Sequence, residues 1–128
     1  MSPCFQASDF LVSSFDHPEL AKFKRLMPAI DIVALQDSIP LHYAAFAEEL
    51  GVVAIGPSDE FVTQEYVKDA HKRGLEVYVW TVNDAEEVER MCAMGVDGVF
   101  TDYPDTARAV VDSFFTERQT LMQLGEQH

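Results

Sequence analysis

The sequence is short of cysteine, short of basic residues and without a long apolar run, and each shortage excludes a class of protein. Two cysteines, Cys4 and Cys92, are too few for a disulfide framework. Nine basic residues against 22 acidic ones leave a net charge of −13, which repels nucleic acid and anionic membranes. No stretch reaches the ~20 apolar residues of a membrane span, and the first ten residues lack the features of a signal peptide. We therefore predict a cytoplasmic protein with no nucleic-acid partner and no membrane span.

The sequence also lacks the short motifs that mark common catalytic and metal sites. It has no G-x-G-x-x-G or G-x-x-x-x-G-K phosphate loop, and no G-x-S-x-G surrounds Ser13 or Ser14. None of the four histidines has a partner at a metal-ligand spacing, so we interpret them as surface or helix-end residues. The residues by themselves therefore predict no catalytic group and no metal ligand.

What the chain does have is a regular alternation of short apolar segments with amphipathic ones. Strands are predicted at 10–14, 31–35, 52–56, 75–81 and 97–101. A helix is predicted after each strand, and the last one leads into a polar tail at 117–128. Strands that alternate with helices predict a parallel α/β sheet. No linker interrupts the pattern, so residues 1–128 are predicted to form a single domain.

Helix ends are predicted from local signals. Capping residues precede three helices, at Asp16 with Glu19, at Thr63, and at Asp84 with Glu87. The second helix is predicted to open at Ser38 and Pro40 and to run to Leu50, where Gly51 ends it. Cys92 falls on the apolar side of the fourth helix and is interpreted as a small buried residue.

Two architectures fit five strand–helix units, an open doubly wound sheet of the flavodoxin kind and a part of a (β/α)₈ barrel. Glu76, Tyr78 and Trp80 alternate along one strand and therefore share one face of it. A charged side chain on that face fits the watery end of a barrel lumen better than the dry face of an open sheet. This pattern favours the barrel.

In both architectures ligands bind at the carboxyl ends of the strands. Those ends here carry polar and aromatic residues, which suit a ligand with hydroxyl groups, but no cation. Asp102 follows the last strand, where it either bonds across a site or caps the final helix, and capping is the simpler role. Trp80 ends the fourth strand, where its ring either stacks on a ligand or fills the barrel mouth.

Three segments carry a family resemblance. LVSSFDHPEL at 11–20, AHKRGLEVYVWTVN at 70–83 and GVDGVFTDYPD at 95–105 occur in the same order, with similar separations, in the C-terminal half of glycerophosphodiester phosphodiesterases. The resemblance covers about residues 11 to 113. It implies a partial TIM (β/α)₈ barrel whose five parallel units match units four to eight of the family.

The resemblance also implies a function. Enzymes of this family are phosphoric diester hydrolases of glycerophospholipid metabolism, which convert a glycerophosphodiester and water to an alcohol and glycerol 3-phosphate. The complete family enzyme uses a divalent metal, calcium or magnesium, bound by carboxylates, and two histidines as acid and base. The small-molecule partner implied for this chain is therefore a glycerophosphodiester.

The chemical motifs of the family do not carry over. The H-R-G of the first strand, the E-x-D and H-D associated with the second, and the E-x-K of the third are all absent. No catalytic residue and no bound metal are therefore expected in this chain alone. The residues that do carry over are assigned to the substrate pocket, and they are Ser14, Phe15, Trp80, Thr81, Asn83 and Asp102.

Two hypotheses follow. In the first, the chain is the C-terminal portion of such an enzyme and is inactive alone, and its two exposed strand edges bind a complementing N-terminal half or a second copy. In the second, it is a non-catalytic α/β binding or regulatory module built on an open sheet, which would hold an anion at helix N-termini.

Overall fold

The computed structural model describes residues 11–126, with side chains described up to residue 119. Cys4, the first residue of the strand predicted at 10–14 and the last two residues of the predicted tail lie outside this range. The elements in chain order are β1 Leu11–Ser14, α1 His17–Leu26, β2 Asp31–Gln36, a 3₁₀ helix Tyr43–Leu50, β3 Ala54–Pro57, α2 Gln64–Lys72, β4 Glu76–Val79, α3 Ala85–Met94, β5 Gly98–Val99 and α4 Pro104–Glu126. Thus α4 continues through most of the predicted polar tail.

The five strands form one open parallel sheet in the order β1-β2-β3-β4-β5. Each strand pairs with the next in the chain, as in the registers Ser14 with Ala34, Leu35 with Gly56, and Tyr78 with Gly98. A flavodoxin-like sheet would have the order 2-1-3-4-5, so that alternative is wrong. Right-handed crossovers between consecutive neighbours put every helix on the same side, which is the arrangement of a barrel segment.

The core lies between the sheet and its helices. Ile32, Ile55 and Val77 on the strands are fully buried against Leu20 of α1 and Met91 of α3. Their strand positions alternate with residues of the opposite face, as expected for a sheet covered on one side. The other side of the sheet, which we call the open face, carries the side chains that define the candidate site.

Two predicted helix caps are confirmed, and a third residue lies at the predicted N-cap position without capping the helix through its side chain. Asp16 Oδ1 accepts a hydrogen bond from Glu19 N at 3.1 Å, and Thr63 Oγ1 accepts one from Tyr66 N at 3.2 Å. Asp84 is the N-cap of α3, but its side chain makes no capping hydrogen bond within the described chain. The missing bond leaves the Asp84 carboxylate facing solvent, where it still favours the positive end of the helix dipole.

The predicted start of the second helix at Ser38 is wrong. The helix begins only at Tyr43, it is a 3₁₀ helix, and the preceding segment is irregular. Tyr43 has a φ of +52°, a left-handed conformation that interrupts any helix entering from Pro40. Gly51 ends the helix as predicted, with a φ of +69°. The consequence is a loop at 37–42 that lies at the carboxyl end of β2.

Two glycines on the open face leave room for large side chains of the neighbouring strands. A Cβ at Gly56 would lie 2.5 Å from Leu35 Cδ2, and one at Gly98 would lie 3.1 Å from Tyr78 Cδ1. The absence of these carbons lets the larger side chains of the neighbouring strands lie across the sheet. Tyr78 donates a hydrogen bond to Glu76 on the same face, and this bond raises the pKa of Tyr78 to about 12. The open face therefore carries a charged side chain at one end, as predicted from the alternation of Glu76, Tyr78 and Trp80.

Ion pairs link the helices to one another and to the sheet on the side opposite the open face. Arg73, directly after α2, donates to Asp69 at 2.9 Å and to Glu48 of the 3₁₀ helix at 2.7 Å, and its hydrogen bond lowers the pKa of Asp69. His71 bonds Asp97 at 2.7 Å, and the same Asp97 oxygen accepts the amide of Val77 at 2.8 Å. His71 therefore has a surface structural role, as predicted for it.

Tyr66 is the buried residue with an unsatisfied hydroxyl. Its side chain is fully buried, its ring meets Tyr43 edge-on at 5.8 Å, and no described group forms a hydrogen bond with its oxygen. Burial, and then the nearby Asp69, raise the pKa of Tyr66 well above its usual value. An unpaired buried hydroxyl destabilises a fold, whereas the ring itself contributes packing.

Replacing Tyr66 by phenylalanine should therefore stabilise the protein. We expect Tyr66→Phe to raise the free energy of unfolding by about 1 kcal/mol, because it removes the unpaired oxygen and keeps the ring. Urea unfolding followed by circular dichroism measures the change. Tyr78→Phe is the matched control, since its hydroxyl has a partner, and it should be neutral or destabilising. A loss of stability in Tyr66→Phe would show that the hydroxyl has a partner in solution.

No helix in the described part of the chain is both long enough and apolar enough to span a bilayer.

Candidate functional site

The carboxyl ends of the strands meet around a cavity on the open face. The cavity has a volume of about 240 Å³ and is lined by Ser13, Phe15, Leu35, Trp80 and Phe100. These residues come from or directly follow β1, β2, β4 and β5, so the cavity spans the whole width of the sheet. Its wall is mostly aromatic and carries no charged side chain, which suits the carbon skeleton of a small ligand.

Trp80 is fixed in this cavity by three contacts. Its indole N–H donates to the carbonyl of Gly56 at 2.6 Å, and its ring meets Phe15 edge-on with centroids 5.3 Å apart. Its own carbonyl accepts the amide of Asp59 at 2.8 Å. The Trp80–Thr81 peptide bond is cis. The indole is therefore held across the ends of β3 and β4, with one part of its surface facing the cavity.

A polar cluster lies beside the aromatic wall, in the loops after β4 and β5. Asn83 Nδ2 donates to Asp102 Oδ2 at 3.0 Å, while Asn83 Oδ1 accepts the Asp102 amide at 2.9 Å. The Thr101 hydroxyl also donates to Asn83 Oδ1, at 3.2 Å. Asn83 thus holds the Asp102 carboxylate across the gap between two loops. Asp102 is thus hydrogen-bonded to the neighbouring loop, and its role in a ligand site stays a prediction.

The six predicted pocket residues fall into four groups. Phe15 and Trp80 line the cavity, Asn83 and Asp102 form the polar cluster, and Thr81 is exposed between them. Ser14 is half-buried, and its hydroxyl accepts the amide of Asp16 at 3.0 Å. Its side chain therefore serves the start of α1 in this structure, and its pocket role stays a prediction.

Three lining residues were absent from the predicted set, namely Ser13, Leu35 and Phe100. These residues can be predicted from the alternation of side chains along a strand, because every second residue lies on the cavity face. Phe15 and Trp80 define that face, and Ser13 and Tyr78 lie two residues before them. Applying the same rule to β2 and β5 selects Leu35 and Phe100 only after the sheet order is known.

His17 supports the site from the helix side. Its Nε2 lies 2.9 Å from the carbonyl oxygen of Leu35, and its ring stacks on Phe46 with centroids 5.3 Å apart. This contact fixes the end of β2, so His17 has the helix-end role predicted for it. It lies behind the cavity, since the side chain of Leu35 forms the lining.

The electrostatic environment of the site is negative. The pKa of Glu87, in the first turn of α3, is raised by burial and by the neighbouring carboxylates of Asp59 and Asp84. No basic side chain lines the cavity among the residues that the structure describes. A phosphate group at this position would therefore need cationic partners from elsewhere.

The donors present do not fit a divalent metal ion. Within residues 11–119, no three histidine, cysteine, aspartate or glutamate side chains lie close enough together to hold one. Asp102, in the polar cluster, has one oxygen engaged by Asn83. The calcium or magnesium that the resemblance implies therefore has no binding set in the described chain.

Comparison with known proteins assigns this geometry to a family. A model of the glycerophosphoryl diester phosphodiesterase family matches residues 4–106. The chain belongs to this family. The glycerophosphodiester phosphodiesterase of Bacillus altitudinis is 35% identical over 106 residues, which are 80% of this chain and 43% of that protein. The resemblance noted in the sequence is thus confirmed over most of the chain.

Solved structures of the family agree with the fold. A phosphodiesterase of Oleispira antarctica, in complex with the product sn-glycerol-3-phosphate, superposes with a TM-score of 0.74 at 28% identity, over 80% of this chain and 41% of that one. A glycerophosphodiester phosphodiesterase of Parabacteroides distasonis gives a TM-score of 0.68 at 29% identity, over 79% and 42% of the two chains. The chain therefore spans less than half the length of these family members, and its five units form a partial TIM barrel.

Proposed function

We propose that this chain forms the C-terminal wall of a glycerophosphodiester phosphodiesterase active site. The observation that carries the proposal is the family match over residues 4–106, whose strands end at the aromatic cavity. The reaction is the attack of water on phosphorus, with cleavage of the bond to the alcohol and release of glycerol 3-phosphate. The product named in the Oleispira antarctica complex supports this substrate class.

The role of the chain in this reaction is to bind and orient the substrate. Phe15 and Trp80 pack against the glycerol carbons and keep water away from that side. Asn83 holds one carboxylate oxygen of Asp102, and no described residue bonds the other, so Asp102 can accept a hydrogen bond from a glycerol hydroxyl. Thr81 is exposed beside them and offers a further hydroxyl. Ser14, at the end of β1, supports the edge of the same cavity.

The chemical groups of the reaction must come from other residues. A divalent cation would neutralise phosphate charge in the complete family enzyme, but the described carboxylates do not form a site for it. No histidine of the described residues lines the cavity, and His17 and His71 bond the Leu35 carbonyl and Asp97 instead. These 128 residues are accordingly proposed to be inactive by themselves.

The edges of the sheet are the proposed attachment sites for a complementing N-terminal half. β1 and β5 are unpaired on their outer sides within the described sheet, and unpaired edges bind further strands. A second copy of the chain is the other predicted partner, which sedimentation of the purified protein would detect. The cytoplasmic location is likewise a prediction.

Nuclear magnetic resonance with glycerophosphocholine tests the proposed wall. This ligand has no net charge, so the acidity of the chain does not oppose its binding. We expect chemical shift changes at the Trp80 indole and at the amides of Asn83 and Asp102. Val77 and Asp97, at the opposite end of the sheet, are the internal controls and should not shift. Changes of equal size at both ends, or no change at Trp80, would contradict the assignment.

A further inference from the structure

His17 makes a contact that its own helix does not require. It is the first residue of α1, and the side chain of Asp16 already caps that helix by accepting the amide of Glu19 at 3.1 Å. The His17 side chain is half-buried, and its Nε2 lies 2.9 Å from the carbonyl oxygen of Leu35, 18 positions away in the sequence. The contact therefore serves the end of β2 rather than the start of α1.

The Leu35 carbonyl lies where the ladder between β1 and β2 has ended. The carbonyl of Gln36 faces β3, since it accepts the amide of the residue after that strand at 3.0 Å. Carbonyls alternate in direction along a strand, so the carbonyl of Leu35 faces β1. The β1 ladder stops at Ser14, and the next amide on that side, that of Asp16, donates to the Ser14 hydroxyl at 3.0 Å. His17 thus supplies the donor that β1 does not.

Leu35 connects His17 to the candidate site. Its side chain lines the cavity and lies over Gly56, so closely that a Cβ on Gly56 would be 2.5 Å from Leu35 Cδ2. The carbonyl of Gly56 in turn accepts the indole N–H of Trp80 at 2.6 Å. Three direct contacts therefore join His17 to Trp80 across β2 and β3.

The His17 ring is held in a fixed orientation. It stacks on Phe46 of the 3₁₀ helix, with centroids 5.3 Å apart and the ring planes at 8° to one another. A carbonyl oxygen only accepts hydrogen bonds, so Nε2 carries the proton in this arrangement. The ring does not line the cavity, and His17 therefore acts on a ligand there only through Leu35.

We propose that His17 is a positioning residue of the substrate site, which fixes the end of β2 and through it the place of the Trp80 indole. The inference rests on the proposed function, because it adds to the pocket wall a residue that lies behind the wall. It gives His17 a role in substrate binding and none in proton transfer. What position 17 requires is a donor with the reach of Nε2.

The test follows the Trp80 indole N–H resonance and the affinity for glycerophosphocholine in variants of the purified chain. In His17→Ala the end of β2 loses its anchor, so the indole resonance of the ligand-free chain should move upfield as its hydrogen bond to Gly56 weakens. The affinity should fall about fivefold, which corresponds to one ordinary hydrogen bond. His17→Gln places an amide nitrogen near the position of Nε2 and should restore most of both, which a loss of ring packing alone does not explain.

His71→Ala is the matched control. His71 also forms a hydrogen bond through Nε2, to Asp97 at 2.7 Å, but at the opposite end of the sheet. This variant should change neither the Trp80 resonance nor the affinity. No change in His17→Ala, equal changes in the two alanine variants, or no rescue by His17→Gln would overturn the positioning role and leave the proposed function intact. If the wild type does not bind glycerophosphocholine, the proposed function fails, whereas the ligand-free resonance tests the link from His17 to Trp80 separately.

Discussion

Mixing this chain with a polypeptide that supplies the first three β/α units of the family should produce hydrolysis. The partner is the N-terminal part of the Bacillus altitudinis relative, the part in which the family resemblance implies the H-R-G and E-x-D motifs. Because it supplies metal ligands and acid–base histidines, we expect a rise from background to enzymatic turnover, about 10⁶-fold or more over the uncatalysed rate. The exposed edges of β1 and β5 provide the attachment by strand pairing. Release of glycerol 3-phosphate from glycerophosphocholine, with calcium or magnesium, measures it.

The control is the same partner with the histidine of H-R-G replaced by alanine. This variant should still bind the chain but should restore no activity, which separates assembly from chemistry. A soluble partner that binds without restoring hydrolysis would argue for the alternative function, a non-catalytic α/β module. A partner that does not bind at all would contradict the role given to the strand edges.

Replacing Trp80 by alanine should both destabilise the chain and abolish ligand binding. The change removes the indole hydrogen bond to Gly56 and the edge contact with Phe15. Since Trp80 is partly exposed, we expect a loss of about 2–3 kcal/mol in unfolding free energy, below the range for a fully buried tryptophan. Glycerophosphocholine should then cause no shift at Asn83. Chemical unfolding and resonance titration measure the two effects.

Trp80→Phe separates the two roles of the side chain. It keeps an aromatic ring in the cavity but loses the N–H donor and part of the packed ring, so the stability loss should be about 1–2 kcal/mol, smaller than for alanine. Ligand binding should weaken without disappearing. If Trp80→Ala folds and binds glycerophosphocholine as the wild type does, Trp80 is not part of the pocket wall.

Local features of the fold could be predicted because their causes are local. Asp16 and Thr63 cap helices through amides three residues away, and Gly51 ends the 3₁₀ helix with a φ of +69°. Such interactions depend on a few neighbouring residues, and the sequence displays all of them. The alternation of strands and helices is of the same kind, so the parallel α/β class was predictable.

Features that depend on distant residues were not predictable without the resemblance. No local sequence feature of β1 indicates that β1 pairs with β2. The hydrophobic periodicity was therefore also compatible with the strand order of a flavodoxin-like sheet. The bonds between Asn83 and Asp102 join residues 19 positions apart. The late start of the 3₁₀ helix depends on the backbone of Tyr43, which no composition signal marks. The cavity was therefore predicted by its position at the strand ends but not by its full lining.

A hydrolysis assay on the purified 128-residue chain alone is the most direct test of the central claim, that this polypeptide contains the pocket wall but not the reacting groups. Glycerophosphocholine is incubated with calcium or with magnesium, and the intact Bacillus altitudinis relative serves as the positive control. The account predicts no release of glycerol 3-phosphate above background with either metal. Metal-dependent turnover by the chain alone would contradict it.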